Sequence, residues 1–314
     1  MNELPQDTPA KDPFHVGEQA LQTRAGKRDR MREIGRRVIR PFMPDQHREF
    51  FGQLPFVVLG SVDADGWPWA SIIAGQTGFL SSPDPKRLDI NEMPLADDPL
   101  GNALSIGTPI GLLGIEMSTR RRNRMNARVT RTGIGGFSLG VDQSFGNCPK
   151  YIQTREIEYV RDPGAKGGHP ATQSFEHLDH AAQSAIENVD VFFVASSAQP
   201  AEDLIAGGVD VSHRGGEAGF IRVDGDTLTI PDYAGNFFFN TLGNFLLNPR
   251  AGLIFPDFET GDVLMLTGTV DLLWEDDPRV RTLQNAERAW RFKLDHGLRI
   301  PDALPFRSRS TRDI

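Results

Sequence analysis

A single cysteine, Cys148, stands among 314 residues. It excludes an internal disulfide and any multi-cysteine metal or iron–sulfur site. Positive charge is also in short supply. Lys and Arg number 34 against 42 Asp and Glu, leaving a net charge of −8, which runs against the basic balance of a general nucleic-acid binder. No run of about 18 apolar residues occurs, so no membrane-spanning helix is predicted. The opening MNELPQDTPAKDPFHVGEQ has neither the basic start nor the apolar stretch of a signal peptide. The closing Asp313-Ile314 carries no lipidation box, and a reduced cytoplasm is the expected location. No Gly-x-Gly-x-x-Gly opens a helix after a strand and no P-loop occurs, which excludes a tightly held Rossmann dinucleotide. No Ser/His/Asp order stands out.

What is present is enough apolar residue, 39%, to bury a sizeable core, and a length that suggests about two domains. Residues 1–18 read as loose. From about 19 to 40 a strongly basic helix is predicted, with Arg24, Lys27, Arg28, Arg30, Arg32, Arg36, Arg37 and Arg40 around an apolar stripe of Met31, Ile34 and Val38. It is either a solvated helix laid over the core or a surface for an anionic ligand or partner. A second helix is expected from Pro44 to about Leu54. Phe56–Val62 reads as a buried strand, Asp65-Gly66 as a turn and Trp67–Ala74 as the returning strand. Short strands follow near Arg87–Asn91, Gly111–Met117, Asn126–Thr132 and Gln153–Val160. Their spacing suggests a barrel or sandwich rather than βαβ units.

The Gly/Pro-rich stretch Asp162–Pro170 reads as a linker, dividing the chain into 1–161 and 171–314. After it the pattern restarts. Phe175, Leu178, Ala182, Ala185, Ile186 and Val189 form a helical stripe, and Val191-Phe-Phe-Val-Ala-Ser is again a buried strand. The restart is an internal repeat. Ser71-Ile-Ile-Ala-Gly-Gln-Thr-Gly-Phe-Leu80 matches Ser212-His-Arg-Gly-Gly-Glu-Ala-Gly-Phe-Ile221 at a shift of 141. Leu88-Asp-Ile matches Leu228-Thr-Ile at 140, and Leu100-Gly-Asn102 matches Leu242-Gly-Asn244 at 142. Two copies of one β-rich unit would mimic a homodimer within one chain, with ligand sites expected at their interface.

Four segments concentrate chemistry. In Asp210–Phe220 the glycines open the backbone to an anion and Ser212 and Arg214 add donors, although a bulged hairpin also explains the glycines. In Asp232–Asn244, the polar Asn236, Asn240, Thr241 and Asn244 crowd into an aromatic setting, where buried amides need partners and a flat heteroaromatic ligand with an anionic tail would supply them. Turn-forming Asn is the plain alternative. Gln143–Tyr151 gathers Gln143, Ser144, Asn147 and Lys150 at the end of the first copy, with Cys148 read as a packed residue rather than a nucleophile. Arg120, Arg121, Arg122 and Arg124, followed by Arg128 and Arg131, place alternate arginines on opposite sides of a strand. One face would suit a phosphate, and structural ion pairs or nucleic acid remain open. His177 and His180 lack a third ligand with metal spacing, so no metal is expected.

The run Phe239-Asn-Thr-Leu-Gly-Asn-Phe-Leu-Leu-Asn-Pro-Arg-Ala-Gly-Leu-Ile-Phe-Pro-Asp-Phe258, followed by Val263–Val270, resembles the pyridoxamine 5′-phosphate oxidase-like FMN-binding split-barrel family. Gln143–Gln153 and Phe14-His-Val-Gly-Glu18 resemble its longer, two-barrel branch, and the likeness runs from about 14 to 307. It implies an α+β, mainly β, fold: a duplicated split β-barrel with flanking helices, the second barrel holding FMN in a groove between the two. It implies a cofactor site of Ser212, His213, Arg214, Asn236, Asn240, Thr241 and Asn244. Gln143 and Ser144 would come from the neighbouring barrel, beside Asn147 and Lys150 of the same polar cluster.

Asn240-Thr241 departs from the family's usual basic pair, which moves the phosphate toward Arg214, Lys150 or backbone groups. Trp290-Arg291 matches the family's substrate-holding Trp and Arg only loosely, which counts against vitamin B6 oxidation. The expected activity is FMN-dependent oxidation of NADPH or NADH, with electrons passed to oxygen, a quinone or another small acceptor. The Arg120–Arg124 run, or the basic helix near Arg24–Arg28, would select the extra phosphate of NADPH. One FMN per chain and a homodimer are expected, the latter because barrels of the family pair and Phe-rich strands need cover. Alternatives are a pyridoxamine-phosphate oxidase, a non-catalytic flavin or haem binder with His213 as iron ligand, and a scaffold without a cofactor.

Overall fold

Strands buried on both faces read as continuous apolar runs, and Phe56–Val62 (β1) is such a strand. Val57 and Leu59 point into one core while Phe56 and Val58 point into another. In a computed structural model that describes residues 12–164, 170–198 and 208–310, this strand belongs to a seven-stranded antiparallel sheet. With it are β2 (Pro68–Ala74), β3 (Leu80–Asp84), β4 (Arg87–Ile90), β5 (Pro109–Glu116), β6 (Arg121–Gly133) and β7 (Gly136–Gly146), in the order β2-β1-β5-β6-β7-β4-β3. All seven strands turn apolar residues onto one cluster, from Val57 and Ile73 through Leu88 to Val129 and Leu139.

Beyond β8 (Arg155–Tyr159) and β9 (Gln173–Phe175) the same unit is built again. Its strands are β10 (Val191–Ser197), β11 (Val209–Gly215), β12 (Arg222–Asp224), β13 (Thr227–Asp232), β14 (Arg250–Pro256), β15 (Val263–Leu273) and β16 (Arg288–Ile300), in the order β11-β10-β14-β15-β16-β13-β12, with β9 added beside β16. The two orders are identical strand for strand. The copies even share a bulge, at Asn126/Ala127 and at Thr267/Gly268. The fold is a duplicated split barrel with flanking helices.

Among the described residues six α-helices flank the sheets: α1 (Val16–Arg24), α2 (Arg28–Val38), α3 (Asp45–Gly52), α4 (Pro99–Ala103), α5 (His180–Asn188) and α6 (Asn240–Leu247). The predicted basic helix is two helices. It breaks at Gly26, whose φ of +64° lies in the left-handed region. Val16–Glu18, read as loose, is helical, because His15 and Glu18 form a reciprocal capping box. Phe175, placed in a helical stripe, is the end of β9, and α5 starts only at His180, capped by Asp179. Residues 1–11, the centre of the proposed linker at 165–169 and the closing 311–314 lie outside the described residues. The chain's last described strand, β17 (Phe306–Ser310), returns to pair with β8. Among the described residues no helix is long and apolar enough to cross a membrane.

The copies face each other across a third core, in which Phe56, Val58 and Ile72 of the first meet Phe193, Val211 and Met265 of the second. The Phe-rich strands that suggested a homodimer are thus covered within one chain. Backbones approach closely at two related places. Gly111 of β5 lies on Val209 and Asp210, and Gly252 of β14 lies on Pro68 and Trp69. Beside each, a side chain crosses between copies: Asn126 Nδ2 donates to the Val209 carbonyl at 2.8 Å, and Thr267 Oγ1 to the Pro68 carbonyl at 2.9 Å. Each pair is the image of the other under the repeat, the self-complementary pattern of a two-fold dimer interface.

A Cβ on Gly111 would sit 2.5 Å from the Val209 carbonyl oxygen, and only movement of one copy against the other relieves it. Gly111→Ala is therefore expected to cost about 1–3 kcal/mol, read as a lower urea midpoint with an unchanged slope. An unchanged midpoint would show that the copies do not need this approach.

Candidate functional site

β11, at the edge of its sheet, packs across β5 and β6 of the other copy, and β11 and β6 run past each other in opposite directions. Their side chains meet in rungs. Asn126 Nδ2 donates to Asp210 Oδ1 at 3.1 Å, and Arg124 donates to the Ser212 hydroxyl. Beyond them, Arg122 and Arg214 flank an open cleft. The loop Asn147–Tyr151, the end of β13 and the segment leading into α6 complete its walls.

The cleft is cationic. Arg122, Arg124, Lys150, Arg214 and Arg288 line it, against one carboxylate, Asp232. Arg288 takes Asp232 Oδ2 with Nε at 3.2 Å and Nη2 at 3.1 Å, leaving Arg214 a 3.7 Å contact with Oδ1. Burial, then the neighbouring Arg124 and Arg214, pushes Arg122 down to about 10. Burial and Arg214 bring Arg124 to about 10 against the opposing pull of Asp210. His213 lies well below its ordinary value through burial and the charges of Arg122, Arg214 and Arg124, so its imidazole is neutral near pH 7. The Nε atoms of all three arginines, Nε2 of His213 and Nδ2 of Asn147 are buried with no hydrogen-bond partner. Orphaned donors under a cationic surplus fit an anionic ligand.

The start of α6 adds to this. Ser212 Oγ lies 2.6 Å from Thr241 Oγ1, and Arg124 Nη1 donates to Asn240 Oδ1 at 3.0 Å. Gly243 N–H makes the helix's first intrahelical bond, to Phe239. The preceding N–H groups therefore end at the cleft with the positive end of the helix dipole. Phe237 and Phe239 are held at φ of +62° and +63°, and Tyr151 at +65°. Such strain in bulky residues persists only where surroundings enforce it. Helix α1 does so here. Gly17 lies against the Gly243 carbonyl, Gln22 Nε2 donates to the Phe238 carbonyl, and the Phe14 and Phe238 rings meet at 5.2 Å. Asn240 Nδ2 donates to Glu18, whose carboxyl is raised well above its usual range by burial and then by Asp210. Tyr151 and Tyr233 pack at 5.3 Å on the rim, and Asn236 Nδ2 donates to Asn147 Oδ1 at 3.3 Å across it.

Of the residues singled out in the sequence, Ser212, His213, Arg214, Asn236, Asn240, Thr241, Asn147, Lys150 and Arg122 line this cleft. Asn244 lies a turn beneath it, fully buried, donating to Ser196 and Asp210 and 2.8 Å from His15 Nε2. Gln143 and Ser144 are not brought to it. Gln143 Nε2 donates to the Pro13 carbonyl, and Ser144 Oγ is engaged with His47 at 2.9 Å. Arg24 stacks 4.0 Å over Trp274 and pairs with Glu275. Arg120 sits in the β5–β6 turn at φ +57°, and Arg121 lies over the Phe50 ring. Trp290 is buried in the second barrel against Phe245, with no part in the cleft.

Arg124 was legible in the sequence, as part of the arginine run with one phosphate-suited face, and it lines the cleft two residues from Arg122. Arg288 was not, because it reaches Asp232 only through the β13–β16 pairing. Cys148 is exposed on the rim rather than packed. His177 holds Asp226 at 2.8 Å, and among the described residues no three His, Cys, Asp or Glu group as a metal site. The Gly-x-Ser-x-Gly run Gly136–Gly140 is no nucleophile elbow, since Ser138 lies inside β7 and accepts from Arg131 Nε at 3.1 Å.

The repeat defines a second cleft, and it is filled. Strand registers match Arg122 and Arg124 to Val263 and Met265, and His213 to Ile72. Val263, Met265 and Ile72 are buried in the core between the copies together with Ile300 and Leu304. Where the open cleft has Asn240, the filled one has Asp98, a fully buried carboxyl 2.6 Å from Ser71 Oγ.

No protein-family model matches this sequence, and no curated protein matches it. Solved structures do resemble it. A putative pyridoxamine 5′-phosphate oxidase from Lactobacillus delbrueckii is 18% identical, covers 34% of this chain and 95% of its own, and has a TM-score of 0.28. An FAD-binding protein from Mesorhizobium loti is 12% identical over 41% of this chain and 97% of its own, with a TM-score of 0.28. HutZ, a haem storage protein from Vibrio cholerae, is 10% identical over 40% of this chain and 94% of its own, with a TM-score of 0.29. These neighbours are split-barrel proteins, and this chain is about twice their length or more.

Burial raises Asp98 from 3.8 to about 6, outweighing its bonds from Ser71 and the Leu100 N–H. A raised carboxyl favours the fold while protonated, so this contribution is complete below about pH 3.8 and is lost as pH rises through about 6. The loss is about 3 kcal/mol at most. Asp98→Asn should flatten unfolding free energy against pH between 4 and 6.5, and a slope equal to the parent's would refute the assignment.

Proposed function

We propose that the chain is an FMN-dependent oxidoreductase that oxidises NADPH or NADH and passes the electrons to oxygen, a quinone or another small acceptor. The observation that carries this reading is the set of buried, unpartnered guanidinium Nε atoms that line the cleft beside the start of α6. The residues present suit a flavin mononucleotide. Arg124, Ser212, Thr241 and the first N–H groups of α6 would hold its phosphate dianion, with planar guanidinium and hydroxyl donors matched to phosphate oxygens. Tyr151, Tyr233 and Phe239 would flank its ring, and the free edge of β11 offers backbone donors and acceptors to the ring's polar side. When bound, the isoalloxazine supplies the hydride and electron chemistry.

The protein's own part is positioning. Glu18 holds Asn240, Asn240 accepts from Arg124, and Arg124 donates to Ser212, so the phosphate end is set before any ligand arrives. Hydride transfer needs proximity more than a dedicated acid or base, which accords with a cleft in which His213 is neutral. The filled counterpart cleft supports one flavin per chain.

A haem-binding reading has one observation in its favour. The His213 imidazole is neutral and its Nε2 lacks a partner, which is the form that ligates iron.

The visible spectrum of freshly purified protein separates the readings. Flavin bands that bleach on anaerobic addition of NADPH and return in air are expected. Arg124→Gln and Ser212→Ala should each weaken FMN binding about ten-fold or more, roughly 1.4 kcal/mol. A Soret band that His213→Ala removes would replace the flavin reading with haem. Colourless protein that takes up neither would end both.

A further inference from the structure

We infer that the Arg122–Arg214 rung is a second oxyanion site, occupied together with the phosphate site at Arg124 and Ser212, and that the substrate meeting the flavin therefore carries a phosphate or carboxylate. The inference rests on the flavin reading for the identity of the first ligand only. Its basis is the ladder between β6 and β11. Asn126 meets Asp210 in a hydrogen bond, and two residues along both strands Arg124 meets Ser212. The next step, about 7 Å further along each strand, sets Arg122 opposite Arg214. Those are two like charges: Arg214 depresses the charged form of Arg122 and Arg124, and Arg122 that of His213.

The other arginines of the cleft are already engaged. Arg288 is paired with both Asp232 and Glu287, at 3.1 and 2.7 Å. Arg124 donates to Ser212 and Asn240, with Asp210 and Glu18 opposing its loss of charge. Arg122 has no side-chain hydrogen bond or ion pair among the described residues, and Arg214 has only the 3.7 Å contact with Asp232. Both keep a buried, unsatisfied Nε. Lys150 lies on the same wall, exposed. Two guanidinium forks at one rung, with an ammonium lining the same cleft, are the donor set for a phosphate or carboxylate. A single phosphomonoester at the α6 end would leave this rung unpaired. Neither oxygen nor a neutral quinone would fill it.

The full chain, saturated with FMN, is titrated with inorganic pyrophosphate at constant ionic strength, followed by calorimetry and by the flavin's visible bands. One equivalent should bind and perturb the bands. Arg122→Gln should weaken pyrophosphate at least ten-fold while changing FMN affinity less than three-fold. Lys150→Gln, an exposed change that cannot unfold the protein, should weaken it several-fold. Arg124→Gln should show the reverse preference, losing FMN more than pyrophosphate. Saturating FMN that abolishes pyrophosphate binding would overturn the inference, as would an Arg122→Gln variant that loses both ligands equally. Protein that refuses FMN but takes two equivalents of pyrophosphate, one of them lost with Arg122→Gln, would refute the flavin reading and leave the second oxyanion site standing.

Discussion

Bare backbone against bare backbone is the contact on which the rest of the molecule depends. Gly111 on Val209 and Gly252 on Pro68 bring the copies close enough for Asn126 and Thr267 to bond across the gap. The same approach seals the apolar core from Phe56 to Phe306 and lays β6 alongside β11. A larger separation would lose the Arg124–Ser212 bond and with it the floor of the cleft. Fold and site are therefore one problem here: the interface that stabilises the pair also brings a strand of one barrel within reach of a strand of the other.

The two ends of this interface have opposite chemistry. At one, Ile72, Val263 and Met265 pack as ordinary core. At the other, the same positions are His213, Arg122 and Arg124, and a cleft remains. Charge explains the difference. Side chains that bury like charges together cannot close on themselves, whereas apolar ones gain by doing so. The N-terminal helix then braces the open end. The α1–α6 contact at Gly17 and Gly243, with Gln22 on the Phe238 carbonyl and Phe14 on the Phe238 ring, braces the segment in which Phe237 and Phe239 are left-handed.

Much of this was legible in the sequence. The repeat showed because Ser71/Ser212, the Gly-Phe pairs and the two Leu-Gly-Asn runs sit at fixed structural points: edge strand, hairpin and helix start. The polar residues of 212–214 and 236–241 were readable because they interrupt apolar surroundings. Arg288 could not be found, since its place depends on which strand lies beside β13. Gln143 and Ser144 show the opposite failure. Their motif sits in the right strand, but the strand's pleat turns one toward Pro13 and the other toward His47. Pleat direction follows from register, and the bulge between Asn126 and Ala127 shifts that register where periodicity gives no sign of it.

In a dimer of identical chains every substitution appears twice, so an arginine placed to serve a ligand on one side must also be tolerated on the other. Joining the copies in one polypeptide lifts that restriction. Position 72 and position 213 occupy the same place in the repeat, yet one can be selected for packing and the other for recognition. The approximate two-fold axis is then a record of shared origin that the chain no longer has to obey. Its departures, such as Asp98 where its counterpart is Asn240, mark where the two halves have taken up separate work.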